Sequence, residues 1–141
     1  MAQLLVDINE SLVLSGSEKG GLTRQRINGI NNFDRRRMQL TSGSIKSIWD
    51  FDARPAAGTF VTSSFKYGRI TNISNNPINL IVSGAAENMV FEVSAGSTFI
   101  MSTSNVTSSL EVNSFTYNSV QSIKAEPYLT SSEITYFVAS T

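Results

Sequence analysis

Between Ile45 and Val138, apolar residues recur at every second position in short runs cut by Gly, Asn, Pro and Ser. Ile78, Leu80 and Val82 flank Asn79 and Ile81. Met89, Phe91 and Val93 flank Val90 and Glu92, and the rhythm continues through Phe99 and Met101, Leu110 and Val112, then Ile134, Tyr136 and Val138. Successive side chains on a strand point to opposite faces, so a period of two describes sheets with one face packed and one wet. Many short strands separated by turn residues predict an all-β chain: an antiparallel β-sandwich or jelly roll of about ten short strands, with little or no helix. Tyr117–Glu126 is the one helical candidate, since Tyr117, Val120 and Ile123 recur every third residue; Ser119, Ser122 and Pro127 weaken it, and a strand fits as well.

At 141 residues the chain is expected to form a single domain, 1–141, large enough to bury its own core. Residues 1–22 stand apart. Leu4–Ile8 and Leu12–Leu14 read as two short strands around Asn9-Glu10. The stretch Ser15-Gly16-Ser17-Glu18-Lys19-Gly20-Gly21 offers little to pack and reads as an exposed loop or an extended N-terminal arm. Asn28-Gly29 signals a tight turn, and Arg35–Thr41 a strand with Met38 and Leu40 inward. In Ile45–Phe51, strict alternation places Ile45, Ser47, Trp49 and Phe51 on one face, with Lys46, Ile48 and Asp50 on the other. Met89–Val93, the turn Ser94-Ala95-Gly96-Ser97 and Thr98–Ser102 read as a hairpin.

Chemistry is bounded mainly by what the chain lacks. It has no cysteine and no histidine. Thiolate metal sites, thiol nucleophiles and disulfides are therefore excluded, as are the commonest general base and the commonest transition-metal ligand. Catalysis would need carboxylate, lysine, tyrosine or hydroxyl groups, and the chain is expected not to be an enzyme and to carry no cofactor. Ser, Thr and Asn make about a third of the residues while charged residues make 16%, a composition suited to polar surfaces that pack on other protein. No apolar run is long enough to cross a bilayer as a helix. Met1-Ala2-Gln3-Leu4-Leu5-Val6-Asp7 does not look like a secretory leader, and the sequons at Asn9, Asn72 and Asn105 are expected to be chance products of composition.

Net charge is zero but polarised. Ten of eleven basic residues precede position 71, against six acids, whereas the rest holds Lys124 and five acids. Arg24, Arg26, Arg35, Arg36 and Arg37 are the densest local bias, and arginine forks favour carboxylates, phosphates and interfaces. These five are the candidate protein-interface residues, set against the competing reading of a solvated charge run. Arg35 and Arg37 should share one strand face and Arg36 and Met38 the other. Nucleic acid is a poor match, because only Phe33 lies nearby and there is no net basicity.

Trp49-Asp50-Phe51-Asp52 resembles a sugar platform beside two carboxylates, roughly 7 Å apart by strand rise. Trp49 and Phe51 fit better as core. Glu10, Asp34, Asp50 and Asp52 show no calcium-loop spacing, and the glycines near position 20 lack a phosphate-loop spacing.

The segment Lys66–Met101 holds Arg69-Ile70-Thr71-Asn72, an Asn-Pro turn, the apolar strand Ile78–Val82 and the turn-strand Ala95-Gly96-Ser97-Thr98-Phe99. About a quarter of the chain thus resembles small β-sandwich structural proteins of tailed bacteriophage virions. The resemblance implies a non-enzymatic virion protein assembled in the host cytoplasm. It would be a capsid decoration or cement protein, binding other virion proteins of capsid or tail through multivalent contacts, with homo-oligomers expected and no membrane partner. The alternatives are a tail or neck component, or a carbohydrate-binding module using Trp49, Tyr67 or Tyr117.

Overall fold

A computed structural model describes residues 2–51, 65–84, 88–102 and 120–141. Ten strands run in chain order: β1 (Ala2–Leu14), β2 (Ser17–Ile30), β3 (Asn32–Leu40), β4 (Lys46–Asp50), β5 (Phe65–Asn72), β6 (Ile78–Ser83), β7 (Asn88–Val93), β8 (Thr98–Met101), β9 (Ser122–Pro127) and β10 (Ser132–Ser140). No helix occurs among the described residues. The alternation also predicts strands over Phe60–Phe65 and Leu110–Phe115; apart from Phe65 these, with Asp52 and Tyr117, lie outside the described residues. The helical candidate resolves in favour of strand, because β9 covers its described second half and pairs on both sides, with β4 and β6.

β1 and β2 form a separate two-stranded ribbon. The other eight build two antiparallel sheets, one ordered β3-β10-β5-β8 and the other β4-β9-β6-β7. The pairings explain the order. β3 pairs with β10, β4 with β9, β5 with β8 and β6 with β7. This is one long hairpin of four nested strand pairs, allotted alternately to two sheets and closed by the β10–β5 and β9–β6 contacts. That wrapping is a jelly roll.

The core lies between the two sheets. Ile134, Tyr136 and Val138 of β10, Ile70 of β5, Ile78, Leu80 and Val82 of β6, and Ile123 and Ala125 of β9 are all buried. β6 and most of β10 alternate buried with half-buried positions, following the sequence rhythm. Each such aliphatic side chain contributes roughly 1.5–3 kcal/mol on full burial. Trp49 is fully buried, with Phe65 at 5.8 Å and the edge-on ring of Tyr136 at 5.9 Å. The indole reaches this depth because Gly68 has no side chain; a Cβ there would stand 2.5 Å from the ring. Phe99 packs against the core, and Phe91 touches Phe99 (5.4 Å) but is partly exposed.

Four local expectations are corrected. β1 is one continuous strand, and the glycine-rich stretch after it is the start of β2, because each supplies the other's hydrogen bonds. Asn28-Gly29 is a β-bulge rather than a hairpin turn. Ala2 pairs with Ile30 and Gln3 with Asn28, leaving Gly29 extra at φ 75°, a conformation glycine adopts without strain. In β4 the pairing shifts between Ser47 and Trp49, so Ile48 and Trp49 are both buried while Ile45 is exposed. Finally, β7 and β8 are not a hairpin: β7 pairs with β6 and β8 with β5, so Ser94–Ser97 crosses between sheets.

Candidate protein interface

The β1–β2 ribbon turns at Ser15 and Gly16, both at positive φ (51° and 75°), as in the tight turns whose twist matches a hairpin. Leu14 pairs with Ser17 and the ladder continues to Gln3–Asn28. Alternation then fixes two faces. One carries Leu4, Val6, Ile8, Glu10, Leu12 and Leu14, and the other Leu5, Asp7, Asn9, Ser11 and Val13.

At the base, the first face is turned inward. Leu4, Val6 and Ile27 pack with Ile30, Tyr67, Phe137 and Ala139 on the outer face of the β3-β10-β5-β8 sheet. The Gln25 side-chain amide donates to the Ser102 carbonyl at 3.2 Å. Farther out the covering ends, leaving Leu12, Val13 and Leu14 57%, 70% and 60% exposed. Beside the base, a groove of about 490 Å³ is lined by Leu4–Asp7 on the ribbon and by Phe33, Arg35, Tyr67, Arg69 and Phe137 on the sheet. Phe33 stacks on Phe137 (centroids 6.2 Å apart) yet is 72% exposed.

The five arginines divide between ribbon and sheet. Arg24, on the outward face of β2, forks onto Asp7 opposite it at 2.9 and 3.1 Å. That hydrogen bond holds the Asp7 carboxyl below its usual range. Arg26 lies two residues along the same face. Arg37, on the sheet's outer face, forks onto Glu133 of β10, with Nη2 2.6 Å from Oε2, and its hydrogen bond lowers the Glu133 carboxyl. Arg36 points to the other side of β3, as expected, and its Nε is 2.9 Å from Asp34 Oδ2. The Tyr136 hydroxyl donates to that same oxygen at 2.9 Å. Burial first, and this hydrogen bond second, push the Tyr136 hydroxyl up to about 12. Arg26 and Arg35 have no ion-pair partner among the described residues.

The other candidates do not converge. Glu10 is on the ribbon, Asp34 on β3 and Asp50 on β4 of the opposite sheet. Asp50 accepts a hydrogen bond from the Ser47 hydroxyl at 2.8 Å. Trp49 and Tyr67 are buried, so neither presents an open ring to a sugar. Sequence reasoning missed the apolar ribbon face, although its signal was present: from Leu4 to Leu14 every second residue is apolar except Glu10. Splitting the run at Asn9-Glu10 hid the pattern.

No family model and no curated protein matches the chain. Among solved structures, the chain is similar to one described as "Bacillus endospore appendages form a novel family of disulfide-linked pili". The identity is 11% and the TM-score 0.38, over 82% of this chain and 93% of that one.

Proposed function

We propose that this protein is a non-enzymatic structural subunit of a multi-copy protein assembly. On the resemblance carried by residues 66–101, the assembly is a bacteriophage virion, and the protein its capsid decoration or cement protein. One observation supports the assembly reading above the rest: a ribbon of two 13- and 14-residue strands whose outer half exposes Ile8, Leu12, Val13, Leu14 and Leu22. An isolated two-stranded hairpin is marginal in water, so such a ribbon gains stability when another protein covers it. The jelly roll is then a rigid carrier, and many weak contacts add up once several copies are held together.

The test is quantitative mass spectrometry of purified native particles. An icosahedral copy number per capsid is the expected result. A ring-like number of about six or twelve would move the protein to tail or neck, and absence from particles would refute the virion reading. A carbohydrate-binding module would instead show glycan-array binding by the isolated protein.

A further inference from the structure

The inward face of the ribbon is used only in part. Leu4 and Val6 rest on Tyr67, Ala139 and Phe137, while two-residue steps along the same strand place Ile8, Glu10, Leu12 and Leu14 on that face. These outer apolar residues are uncovered; Ile8 is 39% exposed, and Leu12 and Leu14 more so. Glu10 has no ion-pair partner among the described residues. Lys19 shares the face but sits across the ribbon on β2, opposite Leu12, so the β1 side is apolar and acidic.

The groove beside the ribbon base has the opposite character. β1 pairs with β2 along one edge, and among the described residues no strand pairs with its other edge, where Leu4–Asp7 border the groove. The floor and far wall are Phe33, Phe137, Arg35 and Arg69. Arg35 has no ion-pair partner among the described residues, and the Arg69 Nε is shielded from solvent without a hydrogen-bond partner. A strand edge, an aromatic floor and two unpaired guanidinium groups fit an extended segment with alternate apolar residues and a carboxylate among them. Ile8–Leu14 is such a segment.

We infer that the outer half of one copy's ribbon, Ile8–Leu14, docks as an added strand against β1 of a second copy. Its apolar face lies on Phe33 and Phe137, and the Glu10 carboxylate accepts from Arg35 and Arg69. The contact continues the packing that the ribbon base already makes on the same sheet. It deepens the assembly-subunit reading and rests on it. Reciprocal exchange closes a dimer, and one-way exchange propagates a ring or chain.

The absence of cysteine makes the test clean. Full-length Leu12→Cys and Phe33→Cys chains, carrying tags of different length, are mixed under mild oxidation and resolved without reductant. Any disulfide joining the two tags is intermolecular by construction. The expected result is a mixed species in clear excess over that formed by Leu12→Cys with Lys124→Cys, a control on the opposite sheet. Adding Glu10→Arg to the Leu12→Cys chain should lower the yield by at least about tenfold, the order for losing one charge-assisted contact; Arg35→Glu in the Phe33→Cys chain should restore part of it, Arg69 remaining in place. Equal linkage to Phe33→Cys and Lys124→Cys, or none to either, overturns the docking. If native particles still hold many copies in that case, the assembly reading stands without this contact. If they hold none, that reading fails as well.

Discussion

The buried Asn72 side chain donates to the carbonyls of Asn76 (2.7 Å), Val93 (3.0 Å) and Ser94 (3.2 Å), and its Oδ1 accepts from the backbone and hydroxyl of Ser74. Its backbone exchanges bonds with Ser97 and Gly96. One residue therefore ties the end of β5 to the turn before β6 and to the crossover between β7 and β8. Its neighbours have structural duties too: Ile70 is core, and the Thr71 hydroxyl meets that of Thr98 at 3.0 Å. The Arg69–Asn72 and Ala95–Phe99 motifs thus meet in space to fix turns. We expect Asn72→Ala to lower the unfolding free energy by about 2–4 kcal/mol in denaturant titrations, since several buried carbonyls lose their donor together. Gly68→Ala should also destabilise, by roughly 1–3 kcal/mol, because the Trp49 ring cannot shift freely within a packed core. Tyr136 gives a pH signature. Its folded pKa of about 12 exceeds the ordinary tyrosine value of 10.0, so its contribution is complete below pH 10 and is lost as pH rises towards 12. Thermal melts across that window should fall less steeply for Tyr136→Phe; an identical slope would remove the assignment.

At the scale of elements, alternation made β6 and β10 legible, because both are central strands with one face on the core. It failed at β4, where a register shift turns two neighbouring residues inward; pairing creates that shift, and no local pattern announces it. The Ser94–Ser97 turn was visible, but turn residues serve hairpins and crossovers alike, and sheet membership depends on distant partners. The glycine-rich half of the ribbon was illegible for a related reason: β2 is a strand there because β1 lies beside it. The candidate arginines were only partly informative. Arg24, Arg36 and Arg37 have acids of this chain as partners, while the unpaired Arg35 shares the groove with Arg69, which the cluster did not include. Two tests belong here. Replacing Asn9–Leu22 by a two-residue Asn-Gly turn should leave the melting temperature of the jelly roll nearly unchanged while abolishing incorporation into particles. Arg35, Arg36 and Arg37 to Ala should preserve the circular dichroism spectrum, because the pairs lost are exposed, but reduce particle occupancy. Unchanged occupancy would exclude these arginines from the interface.

Over the whole molecule, the charge polarity of the sequence dissolves in the fold. β10, from the acidic half, lies between β3 and β5 of the basic half, and Arg37 meets Glu133 across that boundary. What the wrapping leaves outside is the ribbon, whose base is anchored on the outer sheet face and whose β1 side is exposed and apolar at Leu12, Val13 and Leu14 near the tip. Hydrogen exchange measured on the free chain, dilute enough to be monomeric, and on the chain within its native particle tests this division most directly. We expect amides of residues 9–22 to exchange rapidly in the free protein and to become strongly protected in the particle, with β5, β6, β9 and β10 protected alike in both. Equal exchange of residues 9–22 in the two states would contradict a structural subunit that assembles through its ribbon.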